Sequence, residues 1–364
     1  MDMKQRIIAV LFVVCLVLGA LALLFPLNTQ TPLDKYSGTF FGTFDTVVTL
    51  IGFAPSQDVF DARLADVRAM FESDHQLFDL YHAYDGVNNL YTLNQRAATE
   101  PVAVDQALFD LLKWCKDRQT LDHSAAVNIA MGGVLGLWHD FRDSVETNLE
   151  HATPPSAERL QTLANHSDIA NLILDEANRT VYYADPYLKL DLGAVAKGYA
   201  AERAAQYLLS SDMPSFILSA GGNVRAGNPP KDGRLRWGVG VQDPDGNVFG
   251  DGDLMDTLYQ TDGSVVTSGD YQRYVTLDGT RYHHLISPET LQPADYFRAV
   301  TIVTEDSLYA DYLSTELFLI PYKQGRALVD SLPGVEALWV LPDRTVKMTA
   351  GMEKLAKSMG ATSK

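Results

Sequence analysis

The chain has 364 residues, of which 46% are apolar, a proportion typical of a folded globular protein and too high for a disordered one. Its 46 acidic residues outnumber its 29 basic residues, which gives a formal net charge of −17. Because phosphate backbones repel such a chain unless its basic residues are segregated, and no run of five basic residues occurs, we predict that nucleic acid is not a partner.

The N-terminus contains a long apolar run, residues 7–25, in which no residue is charged. A helix rises about 1.5 Å per residue, so this run comes close to spanning the roughly 30 Å of a bilayer's hydrocarbon core. Lys4 and Arg6 precede the run and Lys35 is the next basic residue, so the positive-inside rule places the N-terminus in the cytoplasm. We predict a membrane-spanning helix (residues 1–27) in the inner or plasma membrane, with an extracytoplasmic body. A cleaved signal peptide is the alternative.

The sequence contains two cysteines, Cys15 and Cys115. Cys15 lies in the middle of the apolar run after two valines, which excludes a lipoprotein site there. Cys115 is therefore left without a disulfide partner in the body, and zinc sites built from two or more cysteines are excluded. We expect Cys115 to be a buried thiol.

The body is predicted to form one domain over residues 37–350, between a linker (28–36) and a C-terminal tail (351–364), because no composition break divides it. β-Branched runs predict strands, and apolar residues at helical spacing predict helices. In chain order we predict a strand at 44–53, helices at 56–77, 105–120 and 154–164, strands at 171–175, 180–183 and 188–192, a helix at 194–209, strands at 215–220, 236–242, 264–268, 271–277 and 297–303, helices at 307–319 and 323–331, and a strand at 336–341. Their irregular alternation indicates the α+β class, with a mostly antiparallel sheet and packed helices.

Motifs of dinucleotide-binding, P-loop, zincin and α/β-hydrolase proteins are absent, and the most informative pattern is residues 188–208, LKLDLGAVAKGYAAERAAQYL. A strand ends at Asp191, Gly193 makes a turn, and Lys197 stands in the first turn of a helix. Small residues let a ligand approach the backbone closely, and free amides at a helix start form an anion site beside a Lys. The alternative is a tightly packed helix with a surface Lys.

Other patterns also carry polar side chains. Asp311 and Thr315 stand four residues apart on one helix face, where hard oxygen atoms suit Mg2+ or Ca2+; the alternative is a solvated face. His283 and His284 suit a general base or a phosphate contact as well as a structural role. Two glycine-containing segments permit either close backbone approach or a plain turn: residues 219–223 (SAGGN) and 267–271 (TSGDY).

Taken in this order, the motifs resemble those of the FAD:protein FMN transferases, the ApbE-type flavin transferases. The resemblance extends from Phe41 to about Pro342 and rests on five ordered segments: residues 191–198 (DLGAVAKG), 219–223, 267–271, 283–288 (HHLISP) and 310–315 (ADYLST). Five motifs in family order are far more specific than any one of them, and they favour the functional interpretation of each.

The resemblance implies a single ApbE-like α+β domain and an extracytoplasmic enzyme that binds FAD with Mg2+. Such an enzyme transfers the FMN half of FAD to a Thr or Ser hydroxyl of a membrane-associated acceptor protein and releases AMP. Three rival functions remain: a metal-dependent FAD pyrophosphatase, a non-catalytic flavin-binding protein and an electron-transfer flavoprotein subunit. An intact Asp311 and Thr315 pair favours catalysis over storage.

The resemblance also implies the residues of the site. FAD contacts are implied at Phe41, Tyr81 (with Tyr84 as the alternative), Ala126, Val127, Asn128, Asp191, Lys197 and Ile286. The implied Mg2+ ligands are the carbonyl of Ala194 and the side chains of Asp311 and Thr315, which gives Asp311 a catalytic role. His284, with His283 as the alternative, is the candidate that deprotonates the acceptor hydroxyl.

The sequence departs from the family pattern at two positions. Phe41 stands where the family's Met-Gly-Thr has Met, and a Phe can still pack against a flat ring. Leu291 stands where the family's P-x-T-G-x-P has Gly, and this change is expected to alter the loop over the pyrophosphate.

Overall fold

The computed structural model describes Met3 and residues 32–121, 126–246 and 254–364. Apart from Met3, the predicted membrane segment lies outside these residues, as do residues 28–31 of the predicted linker. Within the described part of the chain, no helix is long and apolar enough to cross a bilayer. Cys115 is free and buried, as predicted.

An antiparallel sheet of eight strands organises the described residues, in the order β1-β2-β6-β7-β10-β13-β14-β15. The described strands are β1 (Asp34–Thr43), β2 (Thr46–Ala54), β3 (Val102–Ala103), β4 (Leu172–Asp175), β5 (Thr180–Tyr183), β6 (Phe216–Ala220), β7 (Asn223–Ala226), β8 (Trp237–Gln242), β9 (Leu254–Gln260), β10 (Gly263–Gly269), β11 (Tyr274–Leu277), β12 (Thr280–His283), β13 (Ala299–Thr304), β14 (Glu336–Val340) and β15 (Val346–Met348). Three smaller antiparallel sheets pair β3-β5-β4, β8-β9 and β11-β12. The predicted α+β class with antiparallel pairing is confirmed.

Helices pack against this sheet and build the core. The described α-helices are α1 (Gln57–Phe78), α2 (Leu90–Arg96), α3 (Gln106–Leu121), α4 (Gly132–Thr147), α5 (Ala157–Ala164), α6 (Ala196–Ser210), α7 (Ser307–Leu319), α8 (Tyr322–Ser331) and α9 (Ala350–Leu355). Every residue of α7 except Tyr309 is buried, because this helix lies between α6 and strands β10 and β13. A helix that is buried on all faces carries polar side chains only where they have a role, and α7 carries Asp311, Thr315 and Glu316.

Regular structure extends beyond both ends of the predicted domain. Strand β1 begins at Asp34, inside the predicted linker, because its backbone pairs along β2 and Tyr36 packs on Phe60 at 5.7 Å between ring centroids. The predicted tail contains most of α9 and a 3₁₀ turn at Lys357–Met359. Met352 and Ala356 in this segment are fully buried against the sheet, so it belongs to the domain.

Two local predictions also differ from the structure. Residues 188–192 do not form a strand, because the side chain of Asn94 bonds both the amide (2.8 Å) and the carbonyl (2.9 Å) of Leu190. Helix α4 was not predicted, since it opens with Gly132 and Gly133, which are poor helix formers. A Cβ at Gly132 would lie 2.7 Å from the carbonyl oxygen of Lys189, so this close approach requires glycine.

Candidate functional site

The start of α6 lies directly against α7. A Cβ at Gly198 would lie 2.5 Å from both the Cβ of Asp311 and the carbonyl oxygen of Ser307, so only glycine fits between the two helices. The Gly198 amide donates to Oδ2 of Asp311 at 2.8 Å, because an amide in the first turn of a helix has no acceptor within the helix. The Ala194 carbonyl stands two residues before the start of α6, close in the chain to the amide that bonds Asp311.

Asp311 and Thr315 are both buried, at 4% and 8% exposure. Burial raises the pKa of Asp311, while the Lys197 ammonium, the Gly198 amide and the Asn223 side chain lower it. The Thr315 hydroxyl lies 3.3 Å from Oγ of Ser268 on β10. A buried carboxylate that keeps its charge needs a cation beside it, and a carboxylate, a hydroxyl and a carbonyl are the hard oxygen ligands that Mg2+ prefers.

No group of three or more His, Cys, Asp or Glu side chains that could hold a metal occurs within the described residues. The predicted metal site does not need one, because it uses one carboxylate, one hydroxyl and one backbone carbonyl. The Asp311 carboxylate beside the start of α6 and the Thr315 hydroxyl one turn along α7 are hard oxygen donors, so the residues present fit the predicted ion.

Two glycines form the turn next to Asp311. Gly221 and Gly222, with φ of +54° and +97°, form the β6–β7 turn and place Asn223 beside Asp311. A side chain at Gly221 would collide with the Thr46 hydroxyl at 1.9 Å. The predicted SAGGN segment is therefore a left-handed turn in which the glycines are required.

Asp191 holds the turn that precedes α6. Its Oδ1 accepts from the Gly193 amide at 2.7 Å, and its own amide donates to the Ile129 carbonyl at 2.8 Å. Burial raises the pKa of Asp191, and the positive charges of His139, Arg142 and Arg273 lower it. The turn is thus fixed in place with cationic groups around its carboxylate.

The segment Ala126–Asn128 is anchored by a buried acid that the sequence analysis did not identify. Glu316 on α7 accepts from the Val127 amide at 2.7 Å. The Asn128 side chain donates to the Ser167 carbonyl at 2.7 Å and accepts from the Ala130 amide at 2.9 Å. Because Glu316 follows Thr315 on α7, this segment is tied to the same helix as the predicted metal ligands.

The loop after α1 presents Tyr81 to the site. Asp79 accepts from the Tyr81 amide at 2.7 Å and from the Tyr84 hydroxyl at 2.9 Å, so the loop is organised around one carboxylate. The Tyr81 ring is half exposed and packs on His139 at 4.7 Å between centroids. Burial and the nearby Asp191 charge raise the pKa of Tyr81 well above its ordinary value. Tyr81, whose hydroxyl is not used by Asp79, is the better candidate than Tyr84.

The two adjacent histidines have different surroundings. His283 is buried, its Nε2 donates to the Ala294 carbonyl at 2.8 Å, and its Nδ1 accepts from the Leu285 amide at 3.2 Å. Both of its nitrogens are therefore engaged. His284 is partly exposed, and its Nδ1 lies 3.3 Å from the Arg273 carbonyl, which requires the proton on Nδ1 and leaves Nε2 as an acceptor.

Phe41 and Ile286 lie in contrasting environments. Phe41 is 67% exposed, on the irregular part of β1 where Gly42 has a φ of +93°. Ile286 is 4% exposed, pairs with Pro293 in an isolated bridge and packs in an apolar cluster around Trp138. A flat ligand can therefore pack on the exposed Phe41 ring, whereas the buried Ile286 side chain helps to hold the loop between Ile286 and Pro293 in place.

Leu291, which replaces the family's glycine, adopts a φ of +58°, a left-handed conformation that costs a residue with a Cβ about 1–2 kcal/mol. The side chain is buried in the Trp138 cluster, and the Trp138 indole donates to the Leu291 carbonyl at 2.9 Å. The loop keeps the glycine-like backbone, and burial of the Leu side chain offsets the strain.

We expect Leu291→Gly to destabilise the protein by about 2 kcal/mol, because the variant loses a buried Leu side chain but relieves the left-handed strain. Leu291→Ala is expected to be less stable than Leu291→Gly, since it loses the side chain and keeps the strain. Urea unfolding of both variants measures which of the two is less stable. The reverse order, which is usual at ordinary backbone positions, would show that the strain is negligible.

Three cationic residues near the site were not identified from the sequence. His139 and Arg142 lie on the unpredicted helix α4, and Arg273 follows the TSGDY segment by two residues. The charges of both arginines affect the pKa of Tyr81 and that of Asp191. Arg273 could have been found from its position beside a motif, whereas Arg142 lies on α4, which was not predicted because it opens with two glycines.

Comparison with known proteins identifies the family of the chain. The model of the ApbE family matches residues 42–339. A FAD:protein FMN transferase of Treponema pallidum (strain Nichols) is 34% identical over 276 residues, which cover 72% of this chain and 73% of that protein. A FAD:protein FMN transferase of Klebsiella pneumoniae (strain 342) is 30% identical over 291 residues, covering 79% and 82%.

Solved structures show the same architecture. The crystal structure of the ApbE protein from Thermotoga maritima superposes with a TM-score of 0.76 at 30% identity, and the alignment covers 88% of this chain and 99% of that chain. The family match spans most of the chain and contains every motif from the DLGAVAKG segment to the α7 pair. The chain therefore belongs to the ApbE family.

Proposed function

We propose that the protein is a FAD:protein FMN transferase that attaches FMN to a Thr or Ser hydroxyl of an acceptor protein and releases AMP. The observation that carries this proposal is the junction of α6 and α7, where the Gly198 amide bonds the buried Asp311 carboxylate in close packing that only glycine allows. The names of the Treponema and Klebsiella relatives support the same activity.

The proposed reaction exchanges one phosphate bond for another. The oxygen of the acceptor hydroxyl attacks the phosphorus of the FMN half, the bond from this phosphorus to the bridging oxygen breaks, and AMP leaves with the bridging oxygen. Reactions of this kind depend on positioning and charge neutralisation more than on covalent catalysis. Mg2+ held by Asp311, Thr315 and the Ala194 carbonyl would neutralise charge on the pyrophosphate.

The side chains near the junction have complementary tasks. Lys197, at the start of α6, supplies a fixed positive charge close to Asp311 for an anionic substrate. Nε2 of His284 accepts the proton of the acceptor hydroxyl, because Nδ1 faces the Arg273 carbonyl. Tyr81 and Phe41, both exposed aromatic rings, offer surfaces for the isoalloxazine.

The pH dependence tests the role of His284. Burial, together with the positive charges of Arg273 and Lys197, holds the pKa of His284 well below its usual 6.5. A base works when it is neutral, so we expect transfer to remain at full rate at pH 6.5 and to fall only at lower pH. The measurement is kcat against pH, and the His284→Gln variant should lose this decrease in rate at low pH. A midpoint at or above pH 6.5 would contradict the assignment.

We also propose that residues 1–27 anchor the enzyme in the inner or plasma membrane with the domain outside the cytoplasm. The support is the uncharged run at residues 7–25, preceded by Lys4 and Arg6. Membrane fractionation with N-terminal sequencing tests this. Recovery of a soluble mature form that begins near residues 21–25 would show that the segment is a cleaved signal peptide.

A metal-dependent FAD pyrophosphatase is the second candidate, since water can take the place of the acceptor hydroxyl at the same site. Chromatography of the small-molecule products separates the two functions. With FAD and Mg2+ but no acceptor, we expect little turnover; with an acceptor, we expect AMP without an equal amount of free FMN. Equal release of FMN and AMP at the same rate in both conditions would identify a pyrophosphatase instead.

A further inference from the structure

Arg142, near the middle of α4, is a partly buried cation whose neighbouring carboxylates, Asp143 and Asp191, act on it only through space. Its Nη1 is buried and has no hydrogen-bond partner, and among the described residues it forms no ion pair. Burial lowers the pKa of Arg142, the charges of Asp143 and Asp191 raise it, and the like charge of Arg273 lowers it. A guanidinium left unpaired in this way costs folding free energy, so its retention points to an anion that arrives from outside the chain.

Arg273 lies between the β1–β2 turn and His284. Its Nη2 donates to the Phe44 carbonyl at 3.2 Å, and its own carbonyl accepts from the His284 amide at 3.1 Å. Its contact with Asp45 is long, at 3.9 Å, and both side chains are exposed. The guanidinium therefore stays available to a ligand while the backbone positions the histidine.

The nearby carboxylates are already engaged. Oδ1 of Asp191 accepts from the Gly193 amide, and Asp143 lies 3.3 Å from Nε2 of His139. Tyr81 lies within the field of both Arg142 and Arg273. The Tyr81 ring packs on His139, one turn before Arg142 on α4, and the Arg273 carbonyl accepts from the His284 amide, so the two arginines stand beside the residues proposed to meet the flavin and the acceptor.

We propose that Arg142 and Arg273 bind the phosphate of the FMN half of FAD, the group whose phosphorus the acceptor attacks. This inference rests on the proposed function. The attacked phosphate must lie beside the base, and Arg273 is bonded through its backbone to His284; the flavin end must lie beside Tyr81, which both arginines approach. Guanidinium groups bind phosphate through paired, charge-assisted hydrogen bonds, so the two residues hold this phosphate in one orientation.

The test compares ligands that differ only in phosphate. Calorimetry measures the affinity of riboflavin, FMN and FAD for the full-length wild type and for Arg142→Ala, Arg142→Lys and Arg273→Ala. Loss of one charge-assisted contact is expected to weaken FMN and FAD about tenfold or more and to leave riboflavin within about threefold. Arg142→Lys should weaken FMN and FAD binding by an intermediate amount, because it keeps the positive charge and loses the paired hydrogen bonds of the guanidinium. Arg326→Ala, which removes a surface arginine paired with Asp330 on α8, is the matched control and should change none of the three.

The outcomes separate this inference from the proposed function. Selective loss of FMN and FAD affinity supports the phosphate assignment. Equal loss for all three ligands, which a purely structural role would cause, or no loss for any of them, overturns it while FAD binding by the wild type stands. Failure of the wild type itself to bind FAD would overturn the proposed function as well. Because the Arg273 side chain is exposed, Arg273→Ala gives a result even where an Arg142 variant does not fold.

Discussion

Asp311→Asn is expected to lower the rate of FMN transfer by about 10²–10³-fold while FAD affinity falls less than about tenfold. The substitution keeps the shape of the side chain and an oxygen that can accept from the Gly198 amide, and it removes only the charge. Burial of the flavin and adenine rings supplies most of the binding, whereas a cation at Asp311 matters most when charge moves to the leaving AMP. Transfer should therefore suffer far more than binding.

Stability separates this effect from misfolding. Burial raises the pKa of Asp311, which means that the charged carboxylate is unfavourable there when no cation is bound. We thus expect the metal-free Asn variant to melt at the same temperature as the metal-free wild type or higher. Thr315→Ala, which removes a neutral ligand, should show the same loss of transfer more mildly. An Asp311→Asn variant that transfers at nearly the wild-type rate at low Mg2+ would show that the assigned metal site is wrong.

Gly198→Ala is expected to cost about 3 kcal/mol or more of unfolding free energy and to abolish transfer. The added Cβ would lie 2.5 Å from the Ser307 carbonyl and from the Cβ of Asp311, and neither can move without displacing α7. Overpacking of this kind forces backbone shifts, and a shift here would separate the Gly198 amide from the Asp311 carboxylate. Urea denaturation and FMN transfer measure the two consequences.

Helix α4 offers a matched control for this change. Gly136 is also a helical glycine, but a Cβ there would meet no atom within 4 Å. Gly136→Ala is therefore expected to be neutral or to stabilise by about 0.5–1 kcal/mol through helix propensity. If Gly198→Ala were as harmless as Gly136→Ala, the close packing of α6 on α7 could not be what positions the Asp311 carboxylate.

The parts of the site that were predictable from the sequence are those with a local signal. Helix α7 has the predicted bounds, 307–319, and an i, i+4 pair on a continuous helix shares a face in any fold. Helix α6 begins near its predicted start because the turn at Asp191 and Gly193 precedes it. These signals depend on neighbours along the chain, so no tertiary information was required.

The parts that were not predictable depend on distant contacts. Strand β2 pairs with β6 and β7 with β10, and no local pattern states which strands become neighbours. Residues 188–192 read as a strand, but the Asn94 side chain takes the backbone bonds of Leu190. The same reasoning explains Arg142, which becomes notable only when α4 brings it near Tyr81 and Arg273.

The most direct test of the account is intact-mass spectrometry of an acceptor protein of a characterised FAD:protein FMN transferase after incubation with this enzyme, FAD and Mg2+. We predict that the acceptor gains the mass of one covalently bound FMN, that AMP appears in equal amount, and that an acceptor with Ala in place of its target Thr gains nothing. An acceptor of unchanged mass, in a reaction where the wild-type enzyme binds FAD and consumes it to FMN and AMP, would contradict the proposed transfer.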